Sequence, residues 1–514
     1  MFCLCAGLFF VGSLVLWLAG KGSVFVSPDE TANAWFIQQF ASQGTFRSFD
    51  ALNLDLQGLV HPRSTIVISG WMMPVGFLGL STLYGVMSAL LGTSVLAFLT
   101  PACALLAVFA FRQLVKQWFD EQIANSSTII LLVHPALWYY TARGLMPNVL
   151  FVSLLVFALY AWFVGFRNRT LSVFLSGLFV GLAAFVRASE VYWIGLVCLV
   201  LIVAFWKSLT KQALVWWMVG GLLGVFPFFV MNALTYGHPF LTGYTLPVLG
   251  SEQAVSASGS VLSRWHLFPF GIDLRIVAKH VLGYGVMLFW WLSLLSLIGI
   301  VHSFFDQSFK KKSLLVYVGV FVGVAIWLGV WYGSWVIHDN PDPSQMTIAN
   351  SYVRYWLPVF MLATPFAAKG IRFLADRCKT PFALPLFLLM IVVLGVNATF
   401  FSGQDGLVGV GHTLSRSLEI REAVLLRVEP ESLIIVDRAD KLFFPHRVLY
   451  PLRSEQTYAL MKEAVARVPL YYYGITLPEA DLLYLNNHKL KNLGLKIDLL
   501  TTFDEESLYQ ISLP

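Results

Sequence analysis

The sequence FCLCAGLFFVGSLVLWLA, from Phe2 to Ala19, is followed after a short linker by the acidic tetrapeptide Ser27-Pro28-Asp29-Glu30. The first stretch is long and apolar enough to cross a membrane, for which roughly 20 apolar residues are needed. The acidic pair then lies at the membrane surface directly behind this helix. Carboxylates in such a place belong either to a solvated loop or to a catalytic or binding site that a large membrane protein covers.

The composition of the whole chain indicates a polytopic membrane protein. Of its 514 residues, 58% are hydrophobic and 12% are charged, whereas soluble proteins carry about 25% charged residues. The net charge of +6 comes from Lys and Arg in short clusters between apolar runs, which is typical of cytoplasmic loops and not of a nucleic-acid-binding surface. The five cysteines lie in or beside apolar segments without metal-ligand spacing, so we interpret them as small apolar core residues.

Apolar runs recur as far as Phe401, and basic clusters fall in alternate loops between them. We predict about eleven crossings, a cytoplasmic N-terminus, and outer loops over residues 21–65, 235–279 and 333–354. The predicted spans are Phe2–Ala19, Ser94–Val115, Ser127–Tyr140, Val149–Phe166, Leu171–Val186, Val191–Trp206, Ala213–Met231, Val281–Phe305, Ser313–Tyr332, Tyr355–Ala368 and Pro381–Phe401.

The apolar run from Ile66 to Leu91 does not fit this alternation. Counted as a crossing, it would place the loop with Arg112 and Lys116 on the same side as the acidic pair. The run also contains Pro74 and several glycines, which interrupt a helix. We therefore predict an interfacial or re-entrant helix on the outer surface, with an additional transmembrane helix as the alternative.

The sequence pattern predicts secondary structure in two other stretches. Behind the acidic pair, the residues from Thr31 to Gln43 have the pattern of an amphipathic helix. Pro28 is the expected start of this helix, and Gly44 is its expected stop. After Phe401 charged residues become frequent, which predicts a small α/β domain outside the membrane over residues 402–514. Its expected elements are strands at Ser432–Val436, Pro469–Tyr473, Leu495–Phe503 and Ser507–Ile511, and helices at Glu455–Arg467 and Pro478–Leu490.

Titratable residues of the outer loops and helix ends are the candidates for chemistry. The arginines either bind phosphate or extend to lipid headgroups, and Arg187 and Glu190 also have the spacing of a local ion pair. The histidines lack partners at metal-ligand spacing, so we assign no residue as a metal ligand. Whether the reaction uses a divalent metal stays an open question at this point. The candidates are Asp29, Glu30, His61, Arg63, Arg143, Arg187, Glu190, Arg264, His266, Asp273, Arg275, His338, Asp339 and Arg354.

Carboxylates and arginines at one membrane depth suit the transfer of a sugar from a polyprenyl-phosphate-linked donor to an acceptor hydroxyl. A carboxylate would remove the acceptor proton and contribute about 10²–10⁴-fold, while guanidinium groups would bind the phosphate leaving group. One base and one leaving group predict single displacement with inversion. The alternatives are a transporter or flippase, for which we find neither intramembrane carboxylates nor related halves, and a noncatalytic scaffold.

The chain resembles a known family, the membrane-embedded GT-C glycosyltransferases, in particular the branch of protein O-mannosyltransferases and the lipid A aminoarabinose transferase. The resemblance rests on the apolar first helix followed by Pro28-Asp29-Glu30-Thr31, on Leu83-Tyr84-Gly85, on Arg354-Tyr355-Trp356-Leu357-Pro358, and on the terminal outer domain. It implies that Asp29 is the base with Glu30 in support, and that Arg354 holds the donor phosphate.

The resemblance also has consequences at three other places. Arg187 stands where the family has a lysine, which keeps the charge, and Arg63 in His61-Pro62-Arg63-Ser64 offers a second phosphate ligand. Asn148 stands where relatives have a second acid, so it cannot act as a base. We expect His61, Glu190, Tyr244 and Tyr355 to contact substrate.

The expected protein is thus an all-α polytopic membrane protein of GT-C-like fold with a small C-terminal α/β domain. We expect it in the plasma membrane, with that domain outside. Its partners would be the bilayer, a polyprenyl-phosphate sugar donor, and an acceptor that is a protein, a lipid or a cell-surface glycan.

Overall fold

The computed structural model describes residues 2–165, 169–246, 270–306, 312–337, 345–449 and 454–514. The chain divides into two compact units. The helical unit comprises Met1–Val15, Val95–Val230 and Ser258–Val410, and the mixed unit comprises Leu16–Ser94, Met231–Ala257 and Gly411–Pro514. A domain boundary at residues 401 and 402 stays a prediction.

Helices make up most of the described chain. In chain order they are α1 (Phe2–Gly12), α2 (Val15–Ala19), α3 (Pro28–Gln43), α4 (Leu52–Asp55), α5 (Gly79–Leu91), α6 (Leu96–Trp118), α7 (Glu121–Leu132), α8 (Pro135–Ala142), α9 (Pro147–Phe163), α10 (Arg169–Val186), α11 (Val191–Ala204), α12 (Lys211–Tyr236), α13 (Leu274–His280), α14 (Trp290–Phe305), α15 (Lys312–Gly333), α16 (Ser351–Tyr355), α17 (Leu357–Arg377), α18 (Ala383–Phe400), α19 (Leu407–Leu425), α20 (Asp440–Phe443), α21 (Glu455–Arg467) and α22 (Glu479–Tyr484).

Within the described residues, fewer helices have the length and hydropathy of a span than the predicted number of about eleven. Seven helices are long and apolar enough to cross a membrane, or up to nine spans if each of two bent helix pairs counts as one. The predicted span Ser127–Tyr140 is in fact α7 and α8, with a break at His134. Pro135 causes the break, because proline lacks an amide hydrogen and disfavours helical geometry in the preceding residue. The chain is therefore a multi-pass membrane protein with interrupted spans.

The two bends lie between apolar helices. The axes of α8 and α9 differ by 119°, and those of Leu274–Met287 and α14 differ by 90°. In the second pair, Val281–Met287 is a π-helical turn, a geometry that is frequent at functional sites. In the first pair, the bend is flanked by Arg143 and Asn148, so polar side chains enter the helical unit at an interrupted span.

Glycines bring the backbones of α10 and α12 into contact. A Cβ atom at Gly177 would lie 1.9 Å from the carbonyl oxygen of Trp217, and one at Gly181 would lie 2.2 Å from that of Gly221. Helices surrounded by lipid gain no hydrophobic free energy when they associate, so they depend on close van der Waals packing. Small residues such as these glycines permit that packing.

Replacing Gly181 with alanine is therefore expected to lower the free energy of unfolding by about 1–3 kcal/mol, because the added methyl group must push the two backbones apart. Reversible unfolding in mixed micelles measures the change. Gly195→Ala on α11 is the matched control, since a Cβ there would meet no atom within 4 Å. Equal effects of the two variants would contradict close packing at Gly181.

Helix α3 of the mixed unit has the limits expected from the sequence, Pro28 to Gln43. Ser27 and Glu30 form a capping box at its start, and Gly44 ends it with a left-handed backbone at φ 69°. Gly85 of α5 packs against α3, where a Cβ would lie 2.7 Å from the ring of Phe40. The start of α3 is therefore fixed both locally and by packing.

The expectation of a helix throughout Ile66–Leu91 is wrong for the first part of that run. Thr65–Ile68 (β2) and Trp71–Pro74 (β3) form an antiparallel hairpin, and Ser48–Phe49 (β1) pairs with β3 on the other edge. The turn consists of Ser69 and Gly70, both with positive φ, which suits a tight hairpin. The second part of the run is α5, where a helix was expected. This helix is shorter than a typical membrane span.

The C-terminal part of the mixed unit is a five-stranded sheet of order β5-β4-β6-β8-β7. Its strands are β4 (Leu433–Val436), β5 (Val448–Leu449), β6 (Leu470–Ile475), β7 (Lys496–Phe503) and β8 (Glu506–Ser512). Strands β4, β5 and β6 are parallel, whereas β6, β8 and β7 pair antiparallel. The predicted α/β character is confirmed, with β5 and α20 as additional elements.

The hydrophobic core of this sheet also contains residues from the N-terminal third of the chain. Leu52, Leu56 and Val60 are buried in the same cluster as Leu433 and Tyr472. The segment that follows α3 is therefore part of one core with the C-terminal sheet, which brings sequence-distant polar residues together.

Candidate active site

Asp29 lies in the first turn of α3, where the positive end of the helix dipole stabilises a carboxylate. Its Oδ1 accepts a hydrogen bond of 2.6 Å from the hydroxyl of Ser64. The residue is half-buried. Asp29 is thus a half-buried carboxylate whose orientation is set by a hydrogen bond. A general base needs a fixed orientation toward the proton that it removes.

Glu30, the other member of the acidic pair, is directed into its own helix turn. Its Oε2 accepts from the amide of Ser27 at 3.1 Å and from the Ser27 hydroxyl at 2.9 Å, and the residue is 3% exposed. These contacts are those of a helix-capping residue in the first turn. Its predicted catalytic role stays a prediction.

Arg63 is held by Asp440. The guanidinium Nε and Nη2 donate to Oδ1 at 3.0 and 2.7 Å, and the Arg63 amide donates to Oδ2 at 2.8 Å. Asp440 is fully buried, so this forked pair satisfies a carboxylate that water does not reach. A donor phosphate at Arg63 would have to compete with Asp440.

His61 lies two residues before Arg63 in the same loop. Its Nδ1 is 2.9 Å from the Pro62 carbonyl oxygen and 3.1 Å from the Thr65 hydroxyl. Burial lowers the pKa of His61 below its usual value, so the ring is neutral at pH 7. These contacts shape the loop that carries Arg63 and Ser64.

Tyr244 belongs to a turn whose backbone approaches the end of the hairpin. A Cβ at Gly243 would lie 2.4 Å from the Cα of Val75, and the Tyr244 ring centroid is 5.3 Å from that of Phe77. The Tyr244 residue is 64% exposed. It is accessible to a substrate, as its predicted role requires.

A second group of predicted residues lies in the helical unit, around Glu190. Arg187 donates to Glu190 Oε1 through Nε at 3.1 Å and Nη2 at 2.7 Å, which confirms the local ion pair. Tyr332 also donates to Oε1, and the Trp193 indole donates to Oε2 at 2.6 Å. Arg187 and Glu190 are 8% and 4% exposed, so the pair is a buried, fully hydrogen-bonded cluster.

Tyr355 joins Arg187 to Arg354. The guanidinium carbon of each arginine lies 5.1 Å from the centroid of the Tyr355 ring. The same ring stacks on Tyr332 with centroids 4.1 Å apart and an angle of 11°. Cation–π contact fixes both cations at one place. Two guanidinium groups thus share one aromatic ring, and Glu190 balances the charge of Arg187.

Asn148 supports this arrangement from the bent span. Its Nδ2 donates to the Arg354 carbonyl oxygen at 3.3 Å, and Arg354 Nη1 contacts the sulfur of Met146 at 2.8 Å. Within the described residues, the buried Oδ1 of Asn148 has no hydrogen-bond partner. The site therefore has an acceptor for a ligand hydroxyl or amide next to the backbone of Arg354.

Metal-ligating residues are not grouped in the part of the chain that the structure describes: no three His, Cys, Asp or Glu residues there could hold an ion. All five cysteines are free.

Contacts are also described for two further candidates. Arg143 lies over the ring of Tyr140 at 5.8 Å, and Asp273 caps α13. The candidates Arg264, His266, His338 and Asp339 lie outside the described residues.

The mixed unit contains Asp29, Glu30, His61 and Arg63, and the helical unit contains Arg187, Glu190, Arg354 and Tyr355. The sequence did not single out Ser64, Asp440, Tyr332 and Trp193, although they hold the predicted groups. Ser64 had a local signal, since it directly follows Arg63 in a loop already considered. The other three are polar groups whose partners become visible only in the fold.

Comparison with known proteins finds similarity in structure. No family model matches the chain, and no curated protein sequence does. The chain is similar to ArnT from Cupriavidus metallidurans bound to undecaprenyl phosphate, at TM-score 0.52 and 14% identity, over 98% of this chain and 97% of that one. It is also similar to the apo oligosaccharyltransferase of Archaeoglobus fulgidus, at TM-score 0.52 and 12% identity, over 95% and 70% of the two chains.

A third similar structure is the archaeal oligosaccharyltransferase AglB from Archaeoglobus fulgidus in complex with an inhibitory peptide and a dolichol-phosphate. The TM-score is 0.50 at 12% identity, over 92% of this chain and 69% of that one. At such low identities the likeness shows the shared fold.

Proposed function

We propose that this chain, which has the fold of the GT-C glycosyltransferases, transfers a sugar from a polyprenyl-phosphate-linked donor to an acceptor hydroxyl. The observation that carries the proposal is the Asp29 carboxylate, oriented by the Ser64 hydroxyl at the start of α3. The fold relatives support the donor class, because ArnT is bound to undecaprenyl phosphate and AglB to a dolichol-phosphate.

Asp29 is the general base in this proposal. It takes the proton of the acceptor hydroxyl while the acceptor oxygen bonds to the anomeric carbon, and the bond from that carbon to the phosphate oxygen breaks. The polyprenyl phosphate leaves with the bonding electron pair, so the configuration inverts in a single displacement. Glu30 assists by closing the capping box that fixes the helix start.

Arg354 and Arg187 bind the donor phosphate. Both guanidinium groups lie against the ring of Tyr355, and they donate hydrogen bonds to the phosphate oxygens as negative charge develops there. Glu190 fixes the orientation of Arg187, and the buried Oδ1 of Asn148 accepts a hydrogen bond from the donor. Arg63, which Asp440 holds beside Ser64, acts in this proposal by fixing the position of that loop.

Tyr355 and the exposed Tyr244 contact substrate, whereas His61 shapes the loop beside Ser64. From the alternation of basic clusters we also propose that the N-terminus is cytoplasmic and that the C-terminal sheet lies outside the plasma membrane, where nucleotides are scarce and a lipid delivers the sugar.

The test uses the purified chain in lipid nanodiscs with polyprenyl-phosphate sugars and with membrane extracts as the source of acceptor. We expect release of polyprenyl phosphate coupled to glycosylation of the acceptor, read by mass spectrometry. NMR coupling constants of the product should show an inverted anomeric centre. Flipping of intact lipid-linked sugar in sealed proteoliposomes, without transfer in nanodiscs, would establish a flippase instead, and a retained configuration would exclude Asp29 as the base of a single displacement.

A further inference from the structure

Asp440, at the start of α20, fixes the main chain as well as the side chain of Arg63. Its two oxygens accept from the Arg63 amide and from two guanidinium nitrogens at 2.7 to 3.0 Å. Nη2 of Arg63 donates in addition to the carbonyl oxygen of Arg438 at 2.9 Å. Because the carboxylate is fully buried and the bonds are forked, the backbone at Arg63 has little freedom to move.

The residue that follows Arg63 is Ser64, which contacts Asp29. Ser64 has φ 66°, a left-handed conformation that serine rarely adopts without support from its surroundings. Its carbonyl oxygen accepts from the Val75 amide at 3.1 Å, and its hydroxyl donates to Asp29 Oδ1 at 2.6 Å. The position of the Ser64 hydroxyl therefore depends on the bonds that hold Arg63.

The same short segment of the C-terminal sheet also contacts the chain before and after Asp29. Nζ of Lys441 donates to the carbonyl oxygen of Val26, just before α3. The Phe444 ring lies 5.4 Å from that of Trp35, on α3 itself. Residues 440–444, which we call the anchor segment, thus hold the start of α3 as well as the Ser64 turn.

We propose that Asp440 is a positioning residue for Asp29 and acts on it through Arg63 and Ser64. This inference rests on the proposed role of Asp29 as the base. The C-terminal sheet then has a direct part in the reaction, since it sets the direction in which the Asp29 carboxylate faces the acceptor. A displacement of about 1 Å at a reacting group can cost about 10²-fold in rate, so loss of the anchor should be visible in turnover.

The experiment is a double-mutant cycle in kcat with Asp440→Asn, Ser64→Ala and the double variant, on full-length protein in nanodiscs. Each single variant is expected to lower kcat by about 10- to 100-fold, with the KM for the lipid donor within about twofold of wild type. The double variant is expected to match the slower single variant, because both changes remove one pathway. Independent, multiplying effects would overturn the inference.

Asp50→Asn is the matched control. Asp50 pairs with Arg447 at 2.9 Å and so also joins the segment after α3 to the C-terminal sheet, but it is not next to Ser64. Its kcat is expected to stay within about twofold of wild type. If Asp440→Asn fails to fold, Arg63→Lys replaces it. Lysine keeps the positive charge and the hydrogen bond from the backbone amide, but it cannot donate to Asp440 through two guanidinium nitrogens.

Failure of the inference and failure of the proposed function give different results. A wild-type protein that transfers no sugar refutes the proposed function, and with it a base at Asp29. Normal kcat in Asp440→Asn alongside an active wild type refutes only the positioning role. Hydrogen exchange at the Arg63 amide, which should quicken in Asp440→Asn and not in Asp50→Asn, reports the anchor without substrate, and unchanged exchange would overturn it.

Discussion

Asp29→Asn is expected to lower kcat by about 10²–10⁴-fold, because asparagine cannot accept the proton of the acceptor hydroxyl. The amide keeps the shape of the side chain, and its oxygen still accepts the bond from Ser64. The KM for the lipid donor should change little, since our proposal assigns the phosphate to Arg354 and Arg187 and not to Asp29. Initial rates of polyprenyl phosphate release, measured over a range of donor concentrations, separate the two parameters.

The fold should tolerate this change. The capping box of Ser27 and Glu30 stays intact, and the interaction of the Asp29 charge with the dipole of α3 is worth about 0.3–1 kcal/mol. Asp55→Asn is a control for loss of a carboxylate elsewhere in the same segment, since Asp55 makes only a half-exposed ion pair with Arg467. Normal turnover of Asp29→Asn would remove Asp29 from the mechanism.

The start of α3 could be predicted from the sequence because its causes are local. Serine before proline, with glutamate three residues after the serine, is the signature of a capping box, and Gly44 supplies the left-handed end. The C-terminal strands were likewise predictable from short apolar runs with clear limits. In both cases the residues that decide the structure are neighbours in the chain.

The hairpin at Thr65–Pro74 was missed because hydropathy alone does not separate a buried strand from a helix. The signal was present in other properties: Thr65-Ile66-Val67-Ile68 is β-branched throughout, and Ser69-Gly70 is a turn pair. The excess of predicted spans has a related cause, because a window of apolar residues takes no account of Pro135. Both errors came from giving composition more weight than backbone geometry.

The contacts that hold the candidate site could not be predicted from one sequence. Arg63 and Asp440 are 377 positions apart, and nothing near either residue indicates the other. Tyr332 and Glu190 are 142 positions apart in two helices. Such pairs follow from the packing of whole elements, so the sequence indicates candidate residues and the fold is needed to find what orients them.

Glu190→Gln is expected to lower the free energy of unfolding by about 3–5 kcal/mol, because it leaves the buried Arg187 guanidinium without its counter-charge. Glutamine also has one acceptor oxygen where glutamate has two. Since Arg187 and Tyr332 donate to Oε1 and Trp193 donates to Oε2, one donor must face the new NH₂ group. Reversible unfolding in mixed micelles measures the loss.

A double variant, Arg187→Met with Glu190→Met, separates the structural role of this pair from its proposed role in catalysis. Replacing both charges with apolar groups removes the unpaired cation, so stability should return to near the wild-type value. Transfer activity should not return, because Arg354 alone then faces the donor phosphate beside Tyr355. Recovery of full activity together with stability would show that Arg187 serves the fold only, and the donor phosphate would then depend on Arg354 without a second cation.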